Sequence, residues 1–333
     1  MRAAQLTEPG VVEIVDVPMP DAGSAAIVRM QTLGLCGTDV SIVAGKIPVE
    51  IPRVMGHEGV GVIELSGPSA AFEVGQRVLI NPGFFCEHCH LCGRGCENLC
   101  PEGGLLGRDL DGLFTEYTAT PERQLLAIPD HVPSDAAGVI QVLGTCVHAV
   151  GQAPVSPGDT AVVIGLGVSG QLITQLLVAQ GAHVVGVTRS EWKRELALQQ
   201  GAVAATTPER AAALVEDLTE GRGPETVFEA VGTVPTFALA IELAGSAATV
   251  VFFGTAAGSG GGLPYYQLYY KELTLRNPRG ATTADYERAI ALVADGTING
   301  APLISWRYGL DEINQAIAAT KEPSTLKILM ELE

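Results

Sequence analysis

Ala161-Val162-Val163-Ile164-Gly165-Leu166-Gly167-Val168-Ser169-Gly170 decides how this chain folds. Its four apolar residues read as a strand, and glycines at 165, 167 and 170 make G-x-G-x-x-G where a helix should open. Glycine permits the tight turn and lets backbone approach a pyrophosphate resting on the helix N-terminus. A helical stretch from about Ser169 to Gln180 and a second apolar strand, His183 to Val187, follow. In that context Gly165, Leu166, Gly167, Val168, Ser169 and Gly170 are expected to bind a dinucleotide.

The end of the second strand bears on which dinucleotide. An NAD site places Asp or Glu there for the ribose 2′-hydroxyl, whereas an NADP site needs room and a cation. This strand ends Val187-Thr188-Arg189-Ser190, with Lys193 and Arg194 one turn later, and Glu191 falls in the first turn of the next helix. Arg189 can fork onto a 2′-phosphate, and Thr188 or Ser190 can donate to it. Alternatively, Arg189 is an exposed residue or stacks on adenine without choosing a cofactor. The expectation is NADP preferred, NAD possible.

Strand-like and helical text alternates onward through Glu191 to Gln200, Thr226 to Glu229, Pro235 to Ala244 and Ala248 to Phe253. Such alternation builds a doubly wound parallel sheet. Upstream, Val11 to Val17, Ala25 to Thr32, Gly59 to Leu65 and Gln76 to Ile80 are short β-like runs split by Gly and Pro, the pattern of a small β-barrel. Strand-like text returns at Leu303 to Tyr308 and Ser324 to Glu331, around a helix at Leu310 to Ala319. Gly258 to Gly262 reads as a glycine-rich turn.

With 333 residues, 47% of them hydrophobic, and a mean hydropathy of +0.28, the chain can build two cores. A formal charge of −17 argues against nucleic-acid binding, which needs basic patches. Apolar runs all fall short of the roughly 20 residues that span a bilayer, and the N-terminus lacks a signal-peptide pattern. A cytoplasmic protein, without membrane or nucleic-acid partners, is expected.

Four of the seven cysteines, Cys86, Cys89, Cys92 and Cys100, follow C-x2-C-x2-C-x7-C. Thiolates this close can surround one tetrahedral zinc, and four of them leave no open position, so this is a structural clip. His88, His90 and Cys96 lie in the same lobe and are read as its surface.

Cys36-Gly37-Thr38-Asp39 and Gly56-His57-Glu58-Gly59 occupy the β-rich part. Alone, Cys36 reads as a buried thiol and His57 as a core histidine. Together with the cysteine lobe, the Gly165 loop, Phe228-Glu229-Ala230-Val231-Gly232 and Lys271-Glu272-Leu273-Thr274-Leu275, they change meaning. The whole chain resembles the zinc-dependent medium-chain alcohol dehydrogenases, in the polyol and threonine dehydrogenase branch.

That resemblance implies a GroES-like β-barrel catalytic domain, 1–145 with 291–333, carrying both zinc sites (structural lobe 84–103), and a Rossmann domain at 146–290. It implies two zincs per chain, with Cys36 and His57 binding the catalytic one and Glu58 as either a direct ligand or a carboxylate that exchanges with water. The family's remaining ligand falls on Gln141, a weak neutral donor, seven residues before His148; Cys146 is the other candidate. Thr38 matches the hydroxyl that passes the proton, while Ser41 stands where many relatives place a relay histidine. Thr145 and Arg279 match positions near the nicotinamide.

The implied reaction is hydride transfer between a secondary alcohol or polyol, or the matching ketone, and the nicotinamide. The mostly apolar Ile47-Pro48-Val49-Glu50-Ile51-Pro52 and Phe84-Phe85 flank the expected pocket and suit a secondary alcohol or ring. A carbonyl reductase of secondary metabolism, a cyclitol dehydrogenase and a non-catalytic nucleotide-binding relative are the alternatives. Tyr265, Tyr266, Tyr269 and Tyr270 are expected at an interface or in the core, and a homodimer or homotetramer follows by resemblance.

Overall fold

The computed structural model describes residues 1–255 and 262–332. The glycine-rich turn expected at 258–262 lies outside them except for Gly262. The chain forms two compact units, one of Met1–Gly144 with Ala281–Glu333, the other of Thr145–Gly280. The first division falls within the helix Ile140–Val150. The return expected at 291 would cut the helix Thr283–Ala294, whose Thr282 cap makes it one cooperative element, so the second division comes earlier.

In the first unit Ala26–Leu35 is the spine. It pairs antiparallel with Glu58–Leu65, Tyr117–Thr120 and Lys327–Glu331. Arg77–Ile80 and Leu125–Ala127 extend one side of the sheet, and Ile304–Gly309 pairs parallel with Lys327–Glu331 on the other. A smaller sheet joins Arg2–Glu8, Val11–Asp16 and Arg53–Val54. Met30, Leu33, Ile63, Ile80, Phe114 and Met330 fill the interior. Gly56 has φ +91, and a Cβ there would stand 2.1 Å from the Phe114 ring. Only glycine fits, and this close approach fixes the backbone immediately before His57.

The second unit is a six-stranded parallel sheet. Its spatial order is Ala204–Thr206, His183–Val187, Thr160–Ile164, Thr226–Glu229, Thr249–Phe252 and Thr274–Arg276, so the connection reverses beside Thr160–Ile164. The helix after the glycine loop runs Val168–Ala179. Glu229 Oε1 accepts from the Val231 and Gly232 N–H groups, both at 2.9 Å, and so closes the turn after its strand. Lys271 Nζ donates to the carbonyls of Ile241, Glu242 and Ala244, capping the C-terminus of the helix Val234–Leu243.

Tyr266, Tyr269 and Tyr270 are more than 70% exposed, which removes them from the core; the Tyr265 side chain lies outside the described set. Among the described residues, no helix is long and apolar enough to cross a membrane. A Cβ on Gly170 would lie 1.8 Å from the Gly165 carbonyl oxygen, so helix and loop meet backbone to backbone. Gly170→Ala is expected to destabilise the second unit by about 1–3 kcal/mol, the usual cost of overpacking, as read by chemical denaturation. An unchanged midpoint would mean the loop adjusts freely.

Candidate active site and nucleotide loop

Cys36 caps the short helix Gly37–Val43, and Asp39 sits in its first turn. Asp39 is fully buried, so its carboxylate requires polar partners. Oδ2 accepts the Cys36 N–H at 2.9 Å. Oδ1 lies 3.2 Å from His57 Nδ1, an ion-pair contact too bent for a regular hydrogen bond. One buried carboxylate therefore orients both expected ligands and leaves His57 Nε2 for a metal.

The donor atoms of Cys36, His57 and Glu58 all lie within 4.8 Å of one another. Zinc–ligand bonds of roughly 2.0–2.3 Å need donors only slightly closer than that, so the three residues fit a zinc ion. Burial opposes charge on His57, but the Asp39 and Cys36 charges outweigh it and raise the imidazole well above its usual pKa. An environment that favours a proton so strongly also favours a cation in its place.

Glu58 is not free. Lys327 Nζ donates to Glu58 Oε2 and also to the Leu35 carbonyl, the latter at 3.1 Å; both side chains are buried. Gly34 makes room for the pair, because a Cβ there would lie 2.2 Å from Glu58 Oε2. Buried Gln141 uses its amide N–H to donate to Tyr286 Oη at 3.3 Å. Burial pushes the Tyr286 phenol far above its usual range, so it stays protonated. Cys146 is fully buried with Sγ facing the Ser169 carbonyl at 3.7 Å, and burial pushes its thiol up to about 12. Among the described residues Cys146 does not join the donor group of Cys36, His57 and Glu58. Ser41 Oγ donates to Gly37 O at 2.9 Å, which ties it to its own helix and away from a relay. Thr38 is half-buried beside Cys36. Ile47 and Val49 pack against the barrel core, so part of the expected apolar rim serves the fold.

Cys86, Cys89, Cys92 and Cys100 converge in the lobe, with Sγ–Sγ distances of 3.6, 3.9 and 4.0 Å. Tetrahedral zinc with sulfur at about 2.3 Å places sulfurs roughly 3.8 Å apart, so the four fit. The Cys92 N–H donating to Cys89 Sγ brings that thiol down to about 7, while burial pushes the Cys92 thiol up to about 12 and raises that of Cys86. His88 is exposed; its Nδ1 lies 2.7 Å from Cys86 O and its Nε2 3.5 Å from Glu102. Cys96 Sγ points at Arg94 O.

In the second unit Gly165 has φ +92, and a Cβ there would strike Val231. Gly167 differs, because a Cβ on it would meet nothing within 4 Å. Gly167 also caps the helix without any side-chain bond, so the helix N-terminus is open to a phosphate and fits a dinucleotide. At the strand tip, Arg194 Nη1 donates to the carbonyls of Thr188 and Arg189, both at 2.9 Å. Arg194 is thus a strap that shapes the tip, while Arg189 is exposed. Lys193 Nζ lies 5.2 Å over the Trp192 ring, and Ser190 caps the helix Glu191–Gln199 with its hydroxyl unused. The Thr207 hydroxyl, aided by nearby Arg189, holds the Glu209 carboxyl below its usual range.

Residues 22–130 match the alcohol dehydrogenase GroES-like domain, and residues 168–295 match the zinc-binding dehydrogenase domain. A probable D-xylulose reductase A of Aspergillus terreus is 31% identical, with 96% of this chain and 94% of that protein covered. A 2-dehydro-3-deoxy-L-galactonate 5-dehydrogenase of Pseudoalteromonas atlantica is 30% identical, covering 94% and 92%. Among solved structures, a zinc-binding dehydrogenase of Sinorhizobium meliloti bound to NADP superposes with TM-score 0.92 at 29% identity, covering 99% of each chain. This chain belongs to the zinc-dependent medium-chain alcohol dehydrogenases, on the polyol dehydrogenase side of the family.

As a member of that family it is a zinc-binding, NAD(P)-linked oxidoreductase acting on an alcohol or its carbonyl partner. Asp39 and Lys327 are the residues that sequence reasoning missed. Asp39 stood in view within Cys36-Gly37-Thr38-Asp39, whereas nothing near Lys327 flags a partner 269 residues away.

The His57 environment has a definite sign with pH. In metal-free protein the raised pKa stabilises the fold fully below the usual value near 6.5, and that contribution is lost as pH rises through the higher folded value. Zinc bound at His57 would displace that proton. Zinc uptake by chelator-stripped protein is expected to release protons and to tighten as pH rises, measured by titration in weak buffer. Uptake without proton release would remove Cys36 and His57 as ligands.

Proposed function

We propose that this dehydrogenase interconverts a secondary alcohol or polyol and its ketone, using NADP in preference to NAD and two zincs per chain. The observation that carries the reading is the convergence of Cys36, His57 and Glu58 on one point, oriented by Asp39, in a chain that also holds the open Gly167 loop. Zinc held by these three residues would supply Lewis acidity that eases loss of the alcohol proton. Thr38 takes the role of accepting and passing that proton, and a bound nicotinamide would supply the hydride acceptor. Lys327 keeps the Glu58 charge paired and buried, so the carboxylate that would help hold the zinc is already partly balanced. Gln141 contributes a neutral amide where the family uses an ionised side chain, so its wall bears no added negative charge.

Gly165, Leu166, Gly167, Val168, Ser169 and Gly170 would hold the pyrophosphate. Arg189, with Thr188, Ser190 and Lys193, would receive the 2′-phosphate, and Thr145 and Arg279 are assigned to the nicotinamide end. Cys86, Cys89, Cys92 and Cys100 would hold the second, structural zinc. The exposed tyrosines 266, 269 and 270, two of them stacked at 5.9 Å, are assigned to contact between copies of the chain as a homodimer or homotetramer. Xylulose and a deoxygalactonate appear in the names of relatives, and a polyol or sugar acid is the substrate class those names favour.

The test is a panel of secondary alcohols, polyols and matching ketones, with NADPH and NADH compared. Turnover with NADPH exceeding NADH is expected, and Arg189→Asp should weaken NADP on the order of 10-fold or more while sparing NAD. Equal effects on both cofactors would remove Arg189 from the 2′-phosphate site.

A further inference from the structure

The cysteine lobe reaches beyond its own metal. Glu97, on the turn Glu97–Leu99, accepts the Thr283 backbone N–H at 2.6 Å across 186 residues. Thr283 opens the helix Thr283–Ala294, and Asn81 Nδ2 approaches its hydroxyl at 3.4 Å. The Thr282–Asp285 capping box satisfies neighbouring N–H groups, so Glu97 completes the cap and brings a negative charge to the positive end of the helix.

Tyr286 lies one turn onward, with its N–H on the Thr282 carbonyl at 3.2 Å. Its buried ring fills the space a Cβ on Gly144 would need, at 2.3 Å, and its hydroxyl accepts from Gln141. The segment leading into Gln141 rests on the same sheet face as the Glu58–Lys327 pair. A Cβ on Gly138 would touch Leu329 and Thr32, while Gly34 packs on Glu58 and Lys327. Residues 327 and 329, like 32 and 34, alternate onto one face of their strands.

We propose that Glu97 is a positioning residue for the metal site, acting through the first turn of the helix Thr283–Ala294 on Tyr286 and Gln141. The proposal rests on the reading of Cys36, His57 and Glu58 as that site. It makes the cysteine lobe a part of the active-site wall and not only a clip on a loop. A carboxylate is not required at 97; an acceptor oxygen is.

The test compares Glu97→Ala and Glu97→Gln in the zinc-replete full chain. Glu97→Ala is expected to lower kcat on the order of 10-fold, because small misplacements of a reacting site are costly. NADPH affinity and zinc content should be unchanged. Glu97→Gln keeps the acceptor and should stay within about twofold of the unchanged chain. Amide exchange at residues 139–144 should quicken in Glu97→Ala and not in Glu97→Gln. Unchanged kcat or unchanged exchange in Glu97→Ala would overturn the proposal. So would loss of zinc from that variant, since the effect would then be collapse of the lobe. If the unmodified chain turns over no alcohol or ketone, the active-site reading fails, whereas the exchange comparison still judges the linkage from Glu97 to Gln141.

Discussion

The carboxylate of Asp39 is the constraint from which the rest of the candidate metal site follows. It is wholly buried, and a buried charge survives only with partners. One oxygen takes the Cys36 N–H and so sets where the thiol leaves the helix. The other faces His57 Nδ1 and so sets which ring nitrogen remains. Barrel packing does the complementary work, because Phe114 against Gly56 holds the backbone on which His57 and Glu58 stand. Cys36 and His57 are thus placed by contacts other than those a metal would make, as outer partners orient the ligands of metal sites generally.

The two halves of the chemistry use the backbone in different ways. In the barrel, long-range pairing brings Glu58, Lys327 and Leu35 together from the two ends of the chain. In the nucleotide unit the glycine loop lies within one strand–loop–helix passage, Thr160–Ile164 to Val168–Ala179. Gly165 and Gly170 are required by packing, whereas Gly167 has open space where a Cβ would stand. Arg194 straps the neighbouring strand tip by two carbonyls and leaves the Arg189 side chain to the solvent, where a phosphate could meet it.

These differences explain what could be seen in the sequence. The strand Thr160–Ile164 and the helix Val168–Ala179 fell within a residue of expectation, because local apolar periodicity and glycine punctuation are written where they act. The cysteine lobe was legible for the same reason, since its donors lie within fifteen residues. Cys36 and His57 needed resemblance, because a single cysteine and a single histidine carry no spacing. Lys327 and the Gln141–Tyr286 pair were invisible, as their partners are joined only by tertiary packing. The strand Ala204–Thr206 and the helix Thr283–Ala294 went unread; three residues give no usable period, and the helix follows a text of turns.

Cys36, His57 and Glu58, on the function proposed above, hold a zinc ion separate from one in the cysteine lobe. Zinc per chain, counted by metal mass spectrometry on purified protein and on Cys36→Ser, tests it without any choice of substrate. About two zincs are expected in the unmodified chain and about one in the variant, with the lobe retaining its ion. About one zinc in both would contradict it, and would leave the barrel with a donor set that binds no metal.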